Sequence, residues 1–358
     1  MKSAVLLEEF SRIGGGQNVA KAILRVTRDQ YRFDLVTDRV HDNLNALLFE
    51  KIIETRYMYY DGISFPKLLS GIIKLSADLK QNRRYIDSHD LSINNHPNIF
   101  LLNASINIIH EPFLGKNVIG GLFSKKFIEE LIRLSGVYSI YSEALFVLAG
   151  RYIRERIENE CKFLEIKPKL ITINYPVEYP SNIDFHRKKK YVLTFGRINP
   201  DKNLEAVMDI AARSDKTFII AGAVNGDSVE YVKKLTLLKP DNVTIISNPS
   251  EEKKVELLSE ATVFLHAKRS ESYGLSVAEG IGYGCIPVVP KDGGPWEDII
   301  EHGKYGYGYQ TVNEASTIIN DILSEDISRY REIYNSRDRF SFASFSESFW
   351  SLIEAIAR

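Results

Sequence analysis

Cysteine is almost missing from this chain: Cys161 and Cys285 are the only two in 358 residues. Two distant thiols build neither a disulfide framework nor a zinc site. Cys285 lies in the apolar stretch Gly284-Cys285-Ile286-Pro287 and reads as a small core residue. Long apolar runs are missing too. No stretch approaches the ~20 residues of a membrane span, and the apolar run in the opening MKSAVLLEEF is too short for a signal peptide. A cytoplasmic protein is expected, with the inner membrane surface as a place of contact. Charge of one sign is not in excess, with 46 Lys and Arg against 47 Asp and Glu. That balance speaks against a general nucleic-acid binder. H-E-x-x-H, C-x-x-C, G-x-S-x-G, a P-loop and D-x-D are all absent, so no metal site is expected.

What is present is alternation. Short β-rich runs at residues 4–7, 33–36, 91–94, 105–109, 137–141 and 170–173 are separated by helical patterns at 17–30, 124–134 and 146–163. Residues 175–190 carry Pro176, Pro180 and the basic run 187–190 and show no period, so they read as a solvated linker. Alternation resumes with strands at 191–195, 217–221, 243–246, 263–266 and 286–289. Two α/β domains follow, each a doubly wound parallel sheet. The expected limits are 1–178, a linker at 179–190, a second domain at 191–335, and a closing segment at 336–358 whose helix crosses back to the first domain. Open α/β sheets bind ligands at strand C-termini, so two facing domains leave a cleft there.

Five clusters carry candidate chemistry. In Glu271-Ser272-Tyr273-Gly274-Leu275-Ser276-Val277-Ala278-Glu279, two carboxylates flank a Gly turn and a helix start. The free N–H groups of Gly274, Leu275 and Ser276 suit phosphate oxygens, and the carboxylates suit sugar and ribose hydroxyls. Ser276 with Glu279 equally fits a capping box needing no ligand. Arg197 and Lys202 follow the first strand of the second domain. They offer a planar fork and a point charge to a leaving diphosphate, or they are solvated cations on a surface turn. Gly14-Gly15-Gly16 follows the first strand and permits close backbone approach. Its spacing is not G-x-G-x-x-G, which disfavours a dinucleotide oxidoreductase. His110 ends a strand in Ile109-His110-Glu111-Pro112, as an active-site or a structural histidine; His89 and His96 have weaker grounds. Gly293-Gly294-Pro295 reads as a helix start with Pro at its first position, or as a plain turn.

Together these residues resemble the retaining glycosyltransferases of the GT-B fold, the family numbered four, or glycosyl transferases group 1. The E-x7-E pair falls on Glu271 and Glu279, the diphosphate-gripping Arg and Lys on Arg197 and Lys202, the Gly-rich loop on Gly14 to Gly16, and the active-site His on His110. Ser272-Tyr273 stands where Pro-Phe is frequent, a departure that bears on the sugar pocket. Gly293-Gly294-Pro295, Ile109-His110-Glu111-Pro112 and the triple Gly look closest to mannosyltransferases that extend lipid-linked oligosaccharides. The resemblance implies a retaining hexosyltransferase, moving mannose or glucose from a GDP- or UDP-linked donor to a glycan or lipid-linked acceptor, with no cofactor or catalytic metal. Glu271, Arg197, Lys202 and His110 are its candidate catalytic residues; Glu279, Gly274, Leu275, Ser276, Gly15 and Gly16 its candidate donor-binding ones. A nucleotide-sugar 2-epimerase of the same fold and a non-catalytic scaffold are the rivals. Residues 67–84 and 124–133, apolar with basic neighbours, are candidate membrane-facing segments, or ordinary helices packed on their own sheet.

Overall fold

A computed structural model describes residues 1–8, 15–37, 48–54, 83–95, 104–112, 130, 141–325 and 330–357. Two compact units emerge: unit 1 is Met1–Tyr175 with Phe345–Arg358, and unit 2 is Pro176–Ser344.

Among the described residues unit 1 is built on seven parallel strands, β1 (Lys2–Leu7), β2 (Tyr31–Thr37), β3 (Lys51–Glu54), β4 (Leu91–Asn94), β5 (Ile106–Ile109), β6 (Leu145–Leu148) and β7 (Lys169–Thr172). Their order is β3-β2-β1-β4-β5-β6-β7. The register Leu7↔Asn94 brings the ends of β1 and β4 side by side. Helix α1 (Gly15–Thr27) buries Val19, Ala20, Ile23 and Leu24 at helical spacing. The helix expected over 146–163 divides in two. Leu145–Leu148 is a buried central strand, and α2 (Arg151–Leu164) starts only after Gly150. A continuous apolar run fits either state; here burial on both faces of the sheet decides, and extended Gly150 breaks the period. Phe146 and Leu148 then pack with Ile153, Ile157 and Cys161 in one core, each large side chain contributing roughly 1.5–3 kcal/mol. His96, Gly14 and nearly all of the segments expected at 124–134 and 137–141 and of the two candidate membrane-facing segments lie outside the described residues.

Unit 2 has six parallel strands, β8 (Lys189–Phe195), β9 (Thr217–Gly222), β10 (Val243–Ser247), β11 (Ala261–Leu265), β12 (Ile286–Pro290) and β13 (Tyr307–Tyr309), in the order β10-β9-β8-β11-β12-β13. Helices α3 (Leu204–Ala211), α4 (Val229–Leu238), α5 (Glu251–Glu260), α6 (Leu275–Gly282) and α7 (Val312–Ser324) alternate with them. The short α8 (Arg331–Asn335) and the closing α9 (Phe342–Ile356) follow, and most of α9 groups with unit 1.

The basic run 187–190 departs from a solvated linker. Lys189 and Lys190 belong to β8, and Lys188 is half-buried, with its ammonium group turned inward. Its Nζ donates to the carbonyls of Ala261 (2.7 Å), Tyr283 (2.7 Å) and Leu258 (3.2 Å). Three carbonyl acceptors replace the water a buried ammonium gives up. Among the described residues no helix is long and apolar enough to cross a membrane.

Candidate functional site

Strand order reverses between β8 and β11, and the crevice beyond the carboxyl ends at such a switch point is where open α/β sheets hold ligands. Gly196 and Arg197 leave β8 there, followed by a 3-10 turn at Pro200–Lys202 and by Asn203 in the left-handed region at φ 53°. His266 and Lys268 leave β11 and lead to Glu271. Phe195, Gly196, Arg197, Lys202, His266 and Ser276 line one shared hollow.

The charges are tightly arranged. Lys202 Nζ lies 2.7 Å from Glu271 Oε2, and Lys268 Nζ 3.4 Å from Oε1 and 2.8 Å from Asp201. Burial alone would raise the Glu271 carboxyl, but the two ammonium groups outweigh it and hold it down to about 2. Arg197 is exposed and makes no ion pair among the described residues. His266 is 5% exposed, and burial pushes its ring down to about 4, so it is neutral at pH 7. Among the described residues neither His266 Nε2 nor Asn199 Oδ1, both beside this crevice, has a hydrogen-bond partner.

The Glu271 loop is held from behind. Ser270 has φ 52°, and its N–H and hydroxyl both donate to Asp292 Oδ2, at 2.9 and 3.1 Å. Gly294 N–H donates to Glu271 O at 2.8 Å. Gly293 has φ 85°, and a Cβ there would stand 2.9 Å from the Glu271 backbone. The Gly293-Gly294-Pro295 cluster thus begins a five-residue helical turn, Pro295–Ile299, and braces Glu271 through its backbone. Helix α6 is preceded by Gly274 as N-cap, where a φ of 104° and a Cβ that would stand 2.8 Å from Pro295 exclude a side chain. The first bond of its opening turn is Val277 N–H to Gly274 O, 2.9 Å, so Leu275 and Ser276 N–H precede it and point toward the helix start.

The capping-box reading of Ser276 and Glu279 fails. Gly274 is the N-cap, with no side-chain cap, and Glu279 Oε1 pairs with Lys254 Nζ at 2.7 Å. Burial holds the Glu279 carboxyl above its ordinary value despite Lys254. A side-chain cap of the expected kind forms elsewhere, where Thr311 Oγ1 accepts from Glu314 N–H at 3.1 Å.

Unit 1 has the same kind of crevice between β1 and β4. His110 Nε2 lies 3.0 Å from Asn95 Oδ1. Asn95 Nδ2 donates to Gly16 O at 3.1 Å and to the Glu8 carboxylate. A Cβ on Gly16 would stand 3.7 Å from His110 Nε2, and Tyr175 packs edge-on against the ring, centroids 5.5 Å apart. Burial pushes His110 down to about 4. His89 is tied instead to Asp34 (3.1 Å) and the Tyr85 carbonyl (2.9 Å), at the opposite end of β4. Among the described residues no group of three or more His, Cys, Asp or Glu could hold a metal ion.

Residues 177–339 match the family model for glycosyl transferases group 1. That stretch is similar to the glycosyl transferases group 1 domain. The chain is 29% identical over 195 residues to the GDP-Man:Man(3)GlcNAc(2)-PP-Dol alpha-1,2-mannosyltransferase of Dictyostelium discoideum, covering 47% of this chain and 38% of that protein. It is 25% identical over 165 residues to a glycogen synthase of Clostridium kluyveri, covering 43% of this chain and 34% of that protein. The aligned parts of these curated relatives amount to less than half their length. The fold is GT-B. Anabaena HepE in complex with UDP and glucose superposes with a TM-score of 0.69 at 16% identity, over 99% of this chain and 100% of that one. Sucrose-phosphate synthase from Thermosynechococcus elongatus does so at 0.72 and 16%, over 99% of each.

Within this GT-B chain, the structure brings Lys202 onto Glu271 and sets Arg197, Gly274, Leu275 and Ser276 around the same crevice. Glu279 sits further along α6 with Lys254. Gly15 and Gly16 open α1, and Gly16 meets His110. Sequence reasoning missed Lys268, His266, Lys254, Asn95 and Glu8. Position was the available signal for most of them: Glu8, Asn95, His266 and Lys268 all fall within three residues after a strand at a switch point. Lys254, on a neighbouring helix, had none.

Proposed function

We propose that the chain is a retaining hexosyltransferase that moves a sugar such as mannose or glucose from a GDP- or UDP-linked donor to a glycan or lipid-linked acceptor, without a catalytic metal. The observation that carries this reading is the Lys202–Glu271 pair, flanked by Lys268, by unpaired Arg197 and by the start of α6. A leaving diphosphate gains negative charge as the glycosidic bond breaks. Arg197, Lys202 and the α6 N–H groups are fixed positive partners for that charge. Glu271, held as a carboxylate, accepts hydrogen bonds from donor-sugar hydroxyls, and Glu279 from the ribose. His110, in unit 1, meets a substrate hydroxyl. The acceptor attacks on the face the diphosphate leaves, and a donor phosphate oxygen takes its proton. The mannosyltransferase and glycogen synthase relatives support transfer of a hexose from a nucleotide.

The test is a panel of nucleotide sugars screened for thermal stabilisation, followed by transfer of the labelled sugar to glycan and lipid-linked acceptors. A specific donor is expected to raise the melting temperature, since ligand binding stabilises by mass action, and to be consumed only when an acceptor is present. Conversion of the sugar with donor alone would identify an epimerase, and no donor binding at all would identify a scaffold.

A further inference from the structure

We infer that Glu8 and Asn95 are positioning residues that hold the His110 ring as its Nε2–H tautomer, so that Nδ1 is the atom that meets a ligand, as an acceptor for a hydroxyl. This inference rests on the reading of His110 as a residue that touches substrate.

The argument begins at the strand ends. Leu7 and Asn94 are partners in the β1–β4 ladder, so Glu8 and Asn95 are the next residues on each strand, at the switch point of the sheet. Asn95 N–H donates to Leu7 O at 3.0 Å, which fixes its backbone against β1. Asn95 is fully buried and Glu8 is 2% exposed. The amide orientation then follows from its partners. Gly16 O at 3.1 Å and the Glu8 carboxylate oxygen can only accept. Both face one end of the Asn95 amide, so that end is the NH2. Turning the amide over would set a carbonyl oxygen against two acceptors in a buried site, at the cost of two hydrogen bonds and with added repulsion. The other end, Oδ1, therefore faces His110 Nε2 at 3.0 Å, and an oxygen there requires a proton on Nε2.

A neutral imidazole carries one N–H. Burial keeps His110 neutral at pH 7, so Nδ1 holds a lone pair. Among the described residues no hydrogen bond to His110 Nδ1 is present, and Tyr175 packs edge-on against the ring. The ring can accept a hydroxyl hydrogen through Nδ1. In this state it cannot donate to a phosphate or a carbonyl. Unit 1 would thus recognise a hydroxyl at this point, with the Glu8 carboxyl one amide away behind the ring. Gly16 contributes through its carbonyl, which gives the glycine loop a role in orienting the histidine.

The assignment is read directly by long-range 1H–15N spectra of histidine-labelled protein at pH 7. Wild type is expected to show His110 with a protonated Nε2 and an unprotonated Nδ1. Asn95→Ala should yield a mixture of tautomers and lower kcat by about 10-fold or more while donor KM changes little. Glu8→Gln, whose side-chain oxygen can still accept from Asn95 Nδ2, should retain the Nε2–H form. If Asn95→Ala fails to fold, the wild-type and Glu8→Gln spectra still decide. A predominant Nδ1–H form in wild type overturns the inference whatever the kinetics show. His110→Ala with unchanged turnover, beside an Nε2–H spectrum, instead sinks the underlying reading of His110 and with it the positioning role.

Discussion

The two sheets reverse their strand order in the same way, β1 against β4 in one and β8 against β11 in the other, yet the crevices hold different chemistry. In unit 2 the strand ends carry lysines, carboxylates and an unpaired arginine. In unit 1 they carry a buried carboxylate, an amide and a neutral histidine, joined by hydrogen bonds. One topology supplies the location, and the few residues after each strand decide what binds. The charged crevice suits a diphosphate whose charge grows in the transition state. The hydrogen-bonded one suits a hydroxyl, which needs direction more than charge.

The sharpest way to break this comparison is to remove the charge from unit 2. Lys202→Ala should lower kcat by about 10²-fold or more, and Arg197→Ala by a similar amount, because each takes away a cation aimed at the leaving group. Circular dichroism should show both variants folded, since both residues lie on a loop. Near-normal turnover in both would mean that the two crevices do not differ in the way proposed.

The histidines offer a second test, through stability. His110 and His266 have an ordinary value of 6.5 and are pushed by burial to about 4 in the folded chain. Below pH 6.5 the unfolded chain binds these protons and the folded chain does not. Their contribution is full above about 6.5 and is lost as the pH falls toward 4. Glu279, raised by burial, opposes part of that loss. Denaturant midpoints should decline by an amount equivalent to a few kcal/mol across this window. His266→Gln should flatten the decline, and an unchanged slope would show that His266 is not buried neutral.

A smaller effect is expected at Glu279. Glu279→Gln keeps the shape and loses the charge, and the Kd for the donor should rise by roughly 10-fold, about 1.4 kcal/mol. Because Gly274 rather than Ser276 caps α6, helix stability should change little. The reverse pattern, a stability loss with donor Kd intact, would restore a purely structural role. The smallest effect belongs to the chelator. Turnover should persist in EDTA, with Arg197, Lys202 and the α6 start meeting the diphosphate. Activity lost in EDTA and restored by one divalent ion would remove that part of the account.

Much of the GT-B fold was legible because strands and helices differ in period, and the helix starts and strand ends bear their own marks. The misreading at 146–163 came where that signal vanishes: Leu145 to Ala149 is apolar throughout, so neither period shows. Lys188 was misread because composition cannot tell a lysine facing three carbonyls from one facing water. At the site, Glu271 and Lys202 were nameable from their loops, but their 2.7 Å pairing is a tertiary fact. Ser276 and Glu279 show the opposite error, a true local pattern that the chain does not use, because left-handed Gly274 takes the cap and Lys254 takes the carboxylate.

The central claim, that the unit 2 crevice grips a diphosphate with protein cations, is tested most directly by equilibrium titration of GDP and UDP in EDTA. Wild type and an Arg197→Ala, Lys202→Ala double variant would be compared at two salt concentrations. Wild type should bind one of the nucleotides without metal, more weakly at high salt, and the double variant should bind it at least about 10-fold more weakly and with less salt dependence. Equal affinity in the two proteins, or wild-type binding that appears only when a divalent ion is added, would contradict the account.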